Sequence, residues 1–220
     1  MAKLTFDEMS RIGKSNVARS KSHERRVAKL LQDWSNVEFR RRRVEGRDST
    51  VIERESTADV IPVKGEILFS IEAKCGECTN IDGLLSNPKT NIFTTWWHQC
   101  VYDAQLVSGV FKRKFYPLLF FKPHPNFDWI AIDQKVFSDR LLLPSESAKS
   151  TFEIACGHNM PIWMPHIAFD AYNLIGPVTL NVSHSKKNKI MKELILPSLY
   201  IIRWKDFANS VNPDSIFVKN

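Results

Sequence analysis

The sequence predicts an α/β protein in which buried strands form a sheet and amphipathic helices cover its faces. Two segments carry apolar side chains at the three- and four-residue spacing of helices, and several short apolar runs between polar turns are typical of strands. The chain has 220 residues, 43% of them hydrophobic, which is enough to bury a sizeable core. We therefore expect a soluble globular protein without internal repeats or a membrane span.

The first helix is predicted to begin at Ser20 or Ser22, either of which is a suitable N-cap. Apolar side chains follow at helical spacing, at Val27, Ala28, Leu31 and Trp34. Residues 37–44 (VEFRRRRV) are predicted to form a strand, and the polar residues 45–56 a long loop.

Two apolar runs follow, at residues 58–63 (ADVIPV) and 67–74 (ILFSIEAK). The three residues between them, Lys64-Gly65-Glu66, have the length and the glycine of a hairpin turn. A second helix is predicted over residues 94–108, with three side chains facing inward: Trp97, Val101 and Ala104.

Two more buried strands are predicted at residues 116–121 and 128–132, separated by a Pro-His-Pro turn. A boundary is predicted between Pro144 and Ser150, which divides the chain into a core, residues 1–144, and a C-terminal extension, residues 145–220. The extension is predicted to pack on or extend the core, with strands near PVTLNVS and LYIIRW.

Positive charge is concentrated near the N-terminus. The chain has a net charge of +7, and residues 1–54 contain 14 Lys and Arg against 8 Asp and Glu. Such an excess favours polyanionic partners such as nucleic acid, although many basic proteins bind none.

The four cysteines are too few for a disulfide scaffold, so we expect reduced thiols in a reducing compartment, the cytoplasm. Zinc ligands could come from Cys75, Cys78, Cys156 and His158 if the C-terminal part folds back onto the core. The spacing of the second pair is unusual for zinc, so we predict no stoichiometric zinc.

The predicted hairpin brings polar residues together on an otherwise apolar strand pair. Side chains alternate along a strand, so Ser70, Glu72 and Lys74 share one face. With a two-residue turn, Asp59 lies opposite Ser70 and diagonal to Glu72. A three-residue turn places Asp59 opposite Ile71 on the other face, so the site requires an even turn or a β-bulge.

Converging carboxylates repel each other unless a cation or a proton lies between them. Oxygen ligands with room for water suit Mg²⁺, with Mn²⁺ as a substitute. Such a metal lowers the pKa of its water and screens the charge of an attacked phosphodiester, with Lys74 placed to orient water or phosphate. The alternative interpretation is a hairpin with a wet polar face, because Asp followed by Glu-x-Lys is a short, common pattern.

These residues resemble the PD-(D/E)XK nuclease superfamily, and within it the archaeal-type and phage Holliday junction resolvases. RSKSHERRVAKLL is similar to their opening helix with Glu24, TADVIPV to the acidic strand with Asp59, and FSIEAK to the strand with Glu72 and Lys74. TTWWHQCVYDAQL resembles the following helix, in which several members carry a glutamine, here Gln99. DWIAIDQKVF resembles the late strand and short helix.

The resemblance implies a restriction-endonuclease-like mixed β-sheet flanked by helices. It implies a metal held by Asp59, Glu72, the carbonyl of Ala73 and Glu24. Lys74 would orient the nucleophile and Gln99 would position water. The alternative interpretation of Glu24 is a solvated helix residue that binds no metal. The alternative for Gln99 is a hydrogen-bonding residue near the core that positions no water. Ala58 replaces the proline of the motif, and the residues after about 145 lie outside the resemblance.

Arginines 40–43 could line a phosphate channel, although on a strand Arg41 and Arg43 face away from Arg40 and Arg42. The alternative is a solvated sheet edge that prevents aggregation. The predicted nucleic-acid-binding residues are Lys21, Arg25, Arg41, Arg43, Arg47 and Arg54.

The function predicted from the sequence is Mg²⁺-dependent hydrolysis of DNA, with branched DNA as the substrate. A resolvase of this kind is a homodimer, because it makes two symmetric nicks. The alternatives are a phage or restriction-type nuclease acting on linear or flapped DNA, and a non-cleaving nucleic-acid-binding module on the same scaffold.

Overall fold

A computed structural model of the chain describes residues 5–42, 57–76, 92–124, 127–137, 167–169, 172–178 and 198–218. Within these ranges eight strands form one mixed sheet in the order β1-β2-β3-β4-β5-β8-β7-β6. The strands are β1 (Phe39–Arg41), β2 (Val60–Pro62), β3 (Phe69–Cys75), β4 (Tyr116–His124), β5 (Phe127–Asp133), β6 (Ile167–Phe169), β7 (Tyr172–Val178) and β8 (Leu199–Arg203). Of the described pairs, β3 and β4 are parallel and the others antiparallel.

Helices flank this sheet, as the sequence predicts. They are α1 (Phe6–Ser35), α2 (Ile92–Phe111), α3 (Gln134–Val136), α4 (Trp204–Ser210) and a 3-10 helix (Pro213–Ile216). Among the described residues, no helix is long and apolar enough to cross a membrane.

Two apolar cores lie on the two faces of the sheet because side chains alternate along each strand. Val27 and Leu31 of α1 pack against one face. Alternate residues of β3, among them Phe69 and Ile71, belong to the same core. Phe93 and Trp97 of α2 pack against the opposite face. The inward positions predicted on α2, Trp97, Val101 and Ala104, are buried. The face under α2 is the one that receives Glu72 and Lys74.

Helix α1 begins well before Ser20, so the predicted N-cap is wrong. Ser20 lies within the helix, where its Oγ donates to Glu24 Oε1 at 3.2 Å. Residues 13–22 contribute no buried side chain, so they lack the apolar periodicity that reveals a helix in sequence. The end of α1 is marked by Asn36, which has a left-handed φ of 56°.

The connection between β2 and β3 is longer than the two-residue turn considered as one alternative for the predicted hairpin. Val60 pairs with Ile71, whereas a two-residue turn would pair it with Phe69. This two-residue difference leaves every side chain on its predicted face, because the strand period is two. The amide of Asp59 also donates to the carbonyl of Ile71, at 2.8 Å. Asp59 and Val60 of one strand therefore both lie opposite Ile71 of the other, which is the arrangement of a β-bulge.

The predicted strands at 116–121 and 128–132 are present as β4 and β5. β4 continues through His124, so Pro123 and His124 belong to the strand and not to a turn. After β5, the side chain of Asp133 caps the short α3 by accepting from the amides of Lys135 and Val136.

The C-terminal part of the chain contributes strands to the same sheet. β8 pairs with β5 on one side and β7 on the other, with Arg203 opposite Trp129. The strand predicted near PVTLNVS is found earlier, at residues 172–178, and residues 179–183 lie outside the described part of the chain. The division at about residue 144 stays a prediction, because residues 138–166 are not described.

Candidate active site

The candidate site lies where β2 and β3 adjoin under α2. Asp59 immediately precedes β2, and its backbone is held on both sides: its amide donates to Ile71 and its carbonyl accepts from the amide of Arg42. Glu72 and Lys74 lie in β3, which pairs with β4 along its whole length. The backbone hydrogen bonds of three strands therefore position the site.

Three predicted side chains converge here. Lys74 Nζ donates to Glu72 Oε1 at 2.5 Å and lies 3.9 Å from Asp59 Oδ2. The same Asp59 oxygen accepts from the amide of Ala73 at 3.0 Å, which orients its carboxylate toward β3. The sequence prediction that two carboxylates and an amine meet on these strands is confirmed in the structure.

The buried carboxylate of Glu72 is strongly perturbed. Its residue is only 3% exposed. Burial, followed by the charge of Asp59, raises the pKa of Glu72 to about 8, although Lys74 acts in the opposite direction. Burial lowers the pKa of Lys74, but the charges of Glu72 and Asp59 outweigh burial and the net shift is upward. When Asp59 and Glu72 are both ionised, their negative charge exceeds the positive charge of Lys74.

The residues present fit a divalent cation. Glu72 Oε2 is buried and accepts no hydrogen bond from the described residues, so one hard oxygen is available as a ligand. The excess negative charge favours a cation over the proton that Glu72 otherwise retains. Within the described ranges, no group of three or more His, Cys, Asp and Glu side chains is placed to hold a metal. Asp59 and Glu72 would therefore need backbone, water or phosphate oxygens to complete the coordination.

Helix α2 adds two polar side chains to the site. Gln99 Nε2 donates to Glu72 Oε1 at 3.2 Å. Asp103, one turn later, accepts a hydrogen bond from Gln99, and burial raises the pKa of its carboxyl. Asp103 was missed in the sequence analysis, although its position four residues after Gln99 on a helix is the signal that places both on one face.

Glu24 of α1 has partners of its own. Its Oε2 lies 3.5 Å from Arg41 Nη1, and its Oε1 accepts from Ser20. Arg41 pairs with Val60 across the β1–β2 ladder, so Glu24 contacts the edge strand β1 of the sheet. The metal-supporting role predicted for Glu24 stays a prediction.

The predicted nucleic-acid-binding residues have different surroundings. Lys21 and Arg25 are exposed on α1, while Arg41 is half-buried and paired with Glu24. Arg43, Arg47 and Arg54 lie outside the described residues. Of the possible zinc ligands only Cys75 is described, as a half-buried free thiol, so the zinc prediction is untested.

The mixed sheet, its flanking helices and the Asp59, Glu72 and Lys74 constellation define the class of the protein, the PD-(D/E)XK nuclease superfamily. The chain belongs to a family described as "Phage putative PDDEXK endonuclease", whose sequence model matches residues 16–156. No curated protein and no solved structure matches the chain. The matched region contains the site and ends before β6, so β6 to β8 lie outside it.

Proposed function

We propose that the protein is a Mg²⁺-dependent endodeoxyribonuclease that cleaves branched DNA, with Mn²⁺ able to replace Mg²⁺. The observation that carries the proposal is the convergence of Asp59, Glu72 and Lys74 around the buried, unpartnered Glu72 Oε2. Membership of a family described as an endonuclease supports the reaction class.

Each side chain has a distinct part in this proposal. Asp59 and Glu72, with the carbonyl of Ala73 and support from Glu24, would hold the divalent cation. When bound, the cation activates water and screens the phosphodiester charge. Lys74 directs its ammonium toward the water and the scissile phosphate, and Gln99 holds the carboxylate of Glu72 in place through its hydrogen bond. Asp103 receives the other hydrogen bond of Gln99 and so orients that amide.

The choice of branched DNA is supported by the resemblance of Glu24, Asp59, Glu72, Lys74 and Gln99 to the resolvase pattern. The family description names an endonuclease and no DNA structure. A homodimer belongs to the same proposal, since a four-way junction has two symmetric strands to cut. Sedimentation of the free protein and of its junction complex measures the number of protomers.

The deciding experiment is cleavage of end-labelled four-way, Y-shaped, linear duplex and single-stranded DNA in Mg²⁺, Mn²⁺ or EDTA. We expect paired nicks in the four-way junction with either metal and none in EDTA. Asp59→Asn removes a ligand charge, so cleavage should fall at least about a hundredfold, while junction binding persists or tightens because repulsion of phosphate is reduced. Lys74→Ala should abolish cleavage but leave Mg²⁺ binding largely intact, as measured by calorimetry.

Matched controls are Asp33→Asn and Lys205→Ala, which make the same changes at exposed positions away from the site. Equal cleavage of linear duplex would replace the branched-DNA proposal with a restriction-type activity. Binding without cleavage in either metal, or near wild-type cleavage by Asp59→Asn, would reject the nuclease proposal itself.

A further inference from the structure

The part of α1 that precedes the core contact forms a separate surface, here called the arm, residues 13–22. Residues 13–19, 21 and 22 are exposed, and Ser20 is half-buried; from residue 13 onward, where burial is described, the first buried side chain of α1 is His23. The arm is rich in small or weakly helix-forming residues, namely Gly13, Ser15, Asn16, Ala18, Ser20 and Ser22. Because these residues are exposed and most of them are weak helix formers, the arm adds little to the stability of α1, which comes from the packed residues 23–35.

The arm projects beyond the end of the sheet that carries the candidate active site. Glu24 contacts Arg41, and the next residue, Arg42, donates its amide to the carbonyl of Asp59. After α1 the chain reaches Glu38, whose carbonyl accepts from Val63 at the opposite end of β2. Residues 24–35 therefore run away from the site, and the preceding ten residues extend about 15 Å past it.

The arm carries only positive charge. Lys14, Arg19 and Lys21 are exposed, and no Asp or Glu occurs between Glu8 and Glu24. The charge of Arg19 reaches Cys75, which directly follows Lys74 and whose pKa is raised, mainly by burial. The arm is thus a cationic surface that begins close to the end of β3, the strand that carries Glu72 and Lys74.

The cations lie on two opposite flanks of the helix. At 3.6 residues per turn, Lys14 and Lys21 are about 20° apart around the axis, whereas Arg19 lies about 140–160° from them. One surface between these flanks carries Ser15, Ala18 and Ser22, and the other carries Gly13, Asn16, Ser20 and the exposed Val17, so no aromatic or long side chain widens the helix there. An α-helix about 10–12 Å across fits the B-DNA major groove, which is about 12 Å wide.

We infer that the arm lies in the major groove of the duplex flanking the scissile phosphate, with Lys14 and Lys21 contacting phosphates of one strand and Arg19 those of the other. This inference takes its substrate from the proposed function, but it concerns binding and not hydrolysis. The surface of Ser15, Ala18 and Ser22 faces the bases, so the arm contributes affinity and orientation with little sequence preference.

The first test measures duplex affinity against salt concentration in EDTA, where cleavage is not required. The arm variant combines Lys14→Gln, Arg19→Gln and Lys21→Gln. Its control combines Lys64→Gln, Lys112→Gln and Lys135→Gln, which remove three exposed cations elsewhere. Each lost phosphate contact should reduce the slope of log K against log salt by about 0.9, so the arm variant should lose about two to three units and the control almost none.

The second test asks whether the arm occupies the major groove. Glucosylated 5-hydroxymethylcytosine places a bulky sugar in that groove, because the C5 position of a pyrimidine faces it. Wild-type protein should bind the modified duplex at least about tenfold more weakly than plain duplex, whereas the arm variant should bind both equally. Equal binding of both duplexes by wild-type protein overturns the groove placement, and an unchanged salt slope in the arm variant overturns the arm contact.

The two proposals fail separately. If wild-type protein cleaves DNA and the arm variant binds duplex as its control does, the proposed arm contact is rejected and the nuclease proposal is retained. Arm-dependent duplex binding without cleavage in Mg²⁺ or Mn²⁺ retains the arm and rejects the nuclease.

Discussion

The burial and the raised pKa of the Glu72 carboxyl explain why the site would favour a bound cation. It is buried beside Asp59 and near Asp103, and among the described residues the cation in contact with it is Lys74. Burial, and after it the charge of Asp59, raises the pKa of Glu72 to about 8, so in the metal-free protein Glu72 keeps a proton up to about pH 8. A divalent cation that replaces this proton removes the repulsion, which couples metal binding to pH.

This coupling gives a stability prediction for Glu72→Gln. The folded-state pKa of Glu72, about 8, exceeds its ordinary value of 4.5. The stability that protonated Glu72 contributes is therefore complete below about pH 4.5 and is lost as pH rises through about 8. Gln cannot ionise, so at pH 8 the metal-free variant should melt above wild type by more than about 3 °C, a shift of roughly 1 kcal/mol in a chain of this size. Differential scanning calorimetry in EDTA measures the difference at pH 5, 6.5 and 8.

Comparison within one pH removes the contribution of His23, whose lowered pKa, caused mainly by burial, acts in the opposite direction. Added Mg²⁺ should raise the melting temperature of wild type more at pH 8 than at pH 6 and leave Glu72→Gln almost unchanged. If the two proteins respond equally to Mg²⁺, Glu72 is not a ligand.

At the scale of elements, β1 connects the helix α1 to the acidic strand. Phe39 is buried, whereas Arg40, Arg41 and Arg42 are half-buried, as expected for an edge strand with one covered face. The pairing of Arg41 with Glu24 means that binding of phosphate by Arg41 competes with this ion pair. In the proposed function, Arg41 would exchange its ion pair with Glu24 for one with a phosphate of the DNA.

A double substitution tests β1 as a phosphate contact. Arg41→Ala with Arg43→Ala should weaken duplex binding and flatten the slope of log K against log salt by about one to two units, because up to two phosphate contacts are lost. Lys135→Ala with Lys205→Ala removes the same charge from exposed positions and serves as the control. A slope equal to wild type, measured by fluorescence anisotropy, would remove β1 from the DNA interface.

At the scale of the whole molecule, the C-terminal residues are part of the nuclease sheet and its core. β8 lies between β5 and β7, and the α4 side chains Trp204 and Phe207 belong to the core under α1. The ring of Trp204 lies 5.4 Å from Trp34 and 5.0 Å from Phe120, measured between centroids. The first helix, the central sheet and the C-terminal helix thus share one aromatic cluster.

Removal of that ring should destabilise the entire described sheet. Trp204→Ala is expected to reduce the free energy of unfolding by about 3–5 kcal/mol, because it leaves a large cavity, and to do so in one cooperative transition. Lys205→Ala, the exposed neighbour, should change little. Chemical denaturation followed by circular dichroism measures both. A second transition at the wild-type midpoint would instead show that the C-terminal residues unfold as an independent unit.

Short-range patterns in the sequence were sufficient to predict which side chains of the candidate site share a face and which elements carry them. Alternation along residues 69–75 places Glu72 and Lys74 on one face, and helical spacing over residues 92–111 turns Trp97 inward and brings Gln99 to the site. These features depend on neighbours a few residues apart, whose geometry is set by the strand period of two and the helical period of 3.6.

Contacts between distant residues were decided only by the tertiary structure. The bulge opposite Ile71 depends on how β2 is held between β1 and β3, and the approach of Asp103 depends on how α2 packs on the sheet. The sequence pattern does not predict the arm of α1 as helical, because the arm has no apolar stripe. Because β8 lies beside β5, Arg203 is paired with Trp129 in the ladder. Local periodicity contains no information about which distant strand completes the hydrogen bonds of a sheet edge.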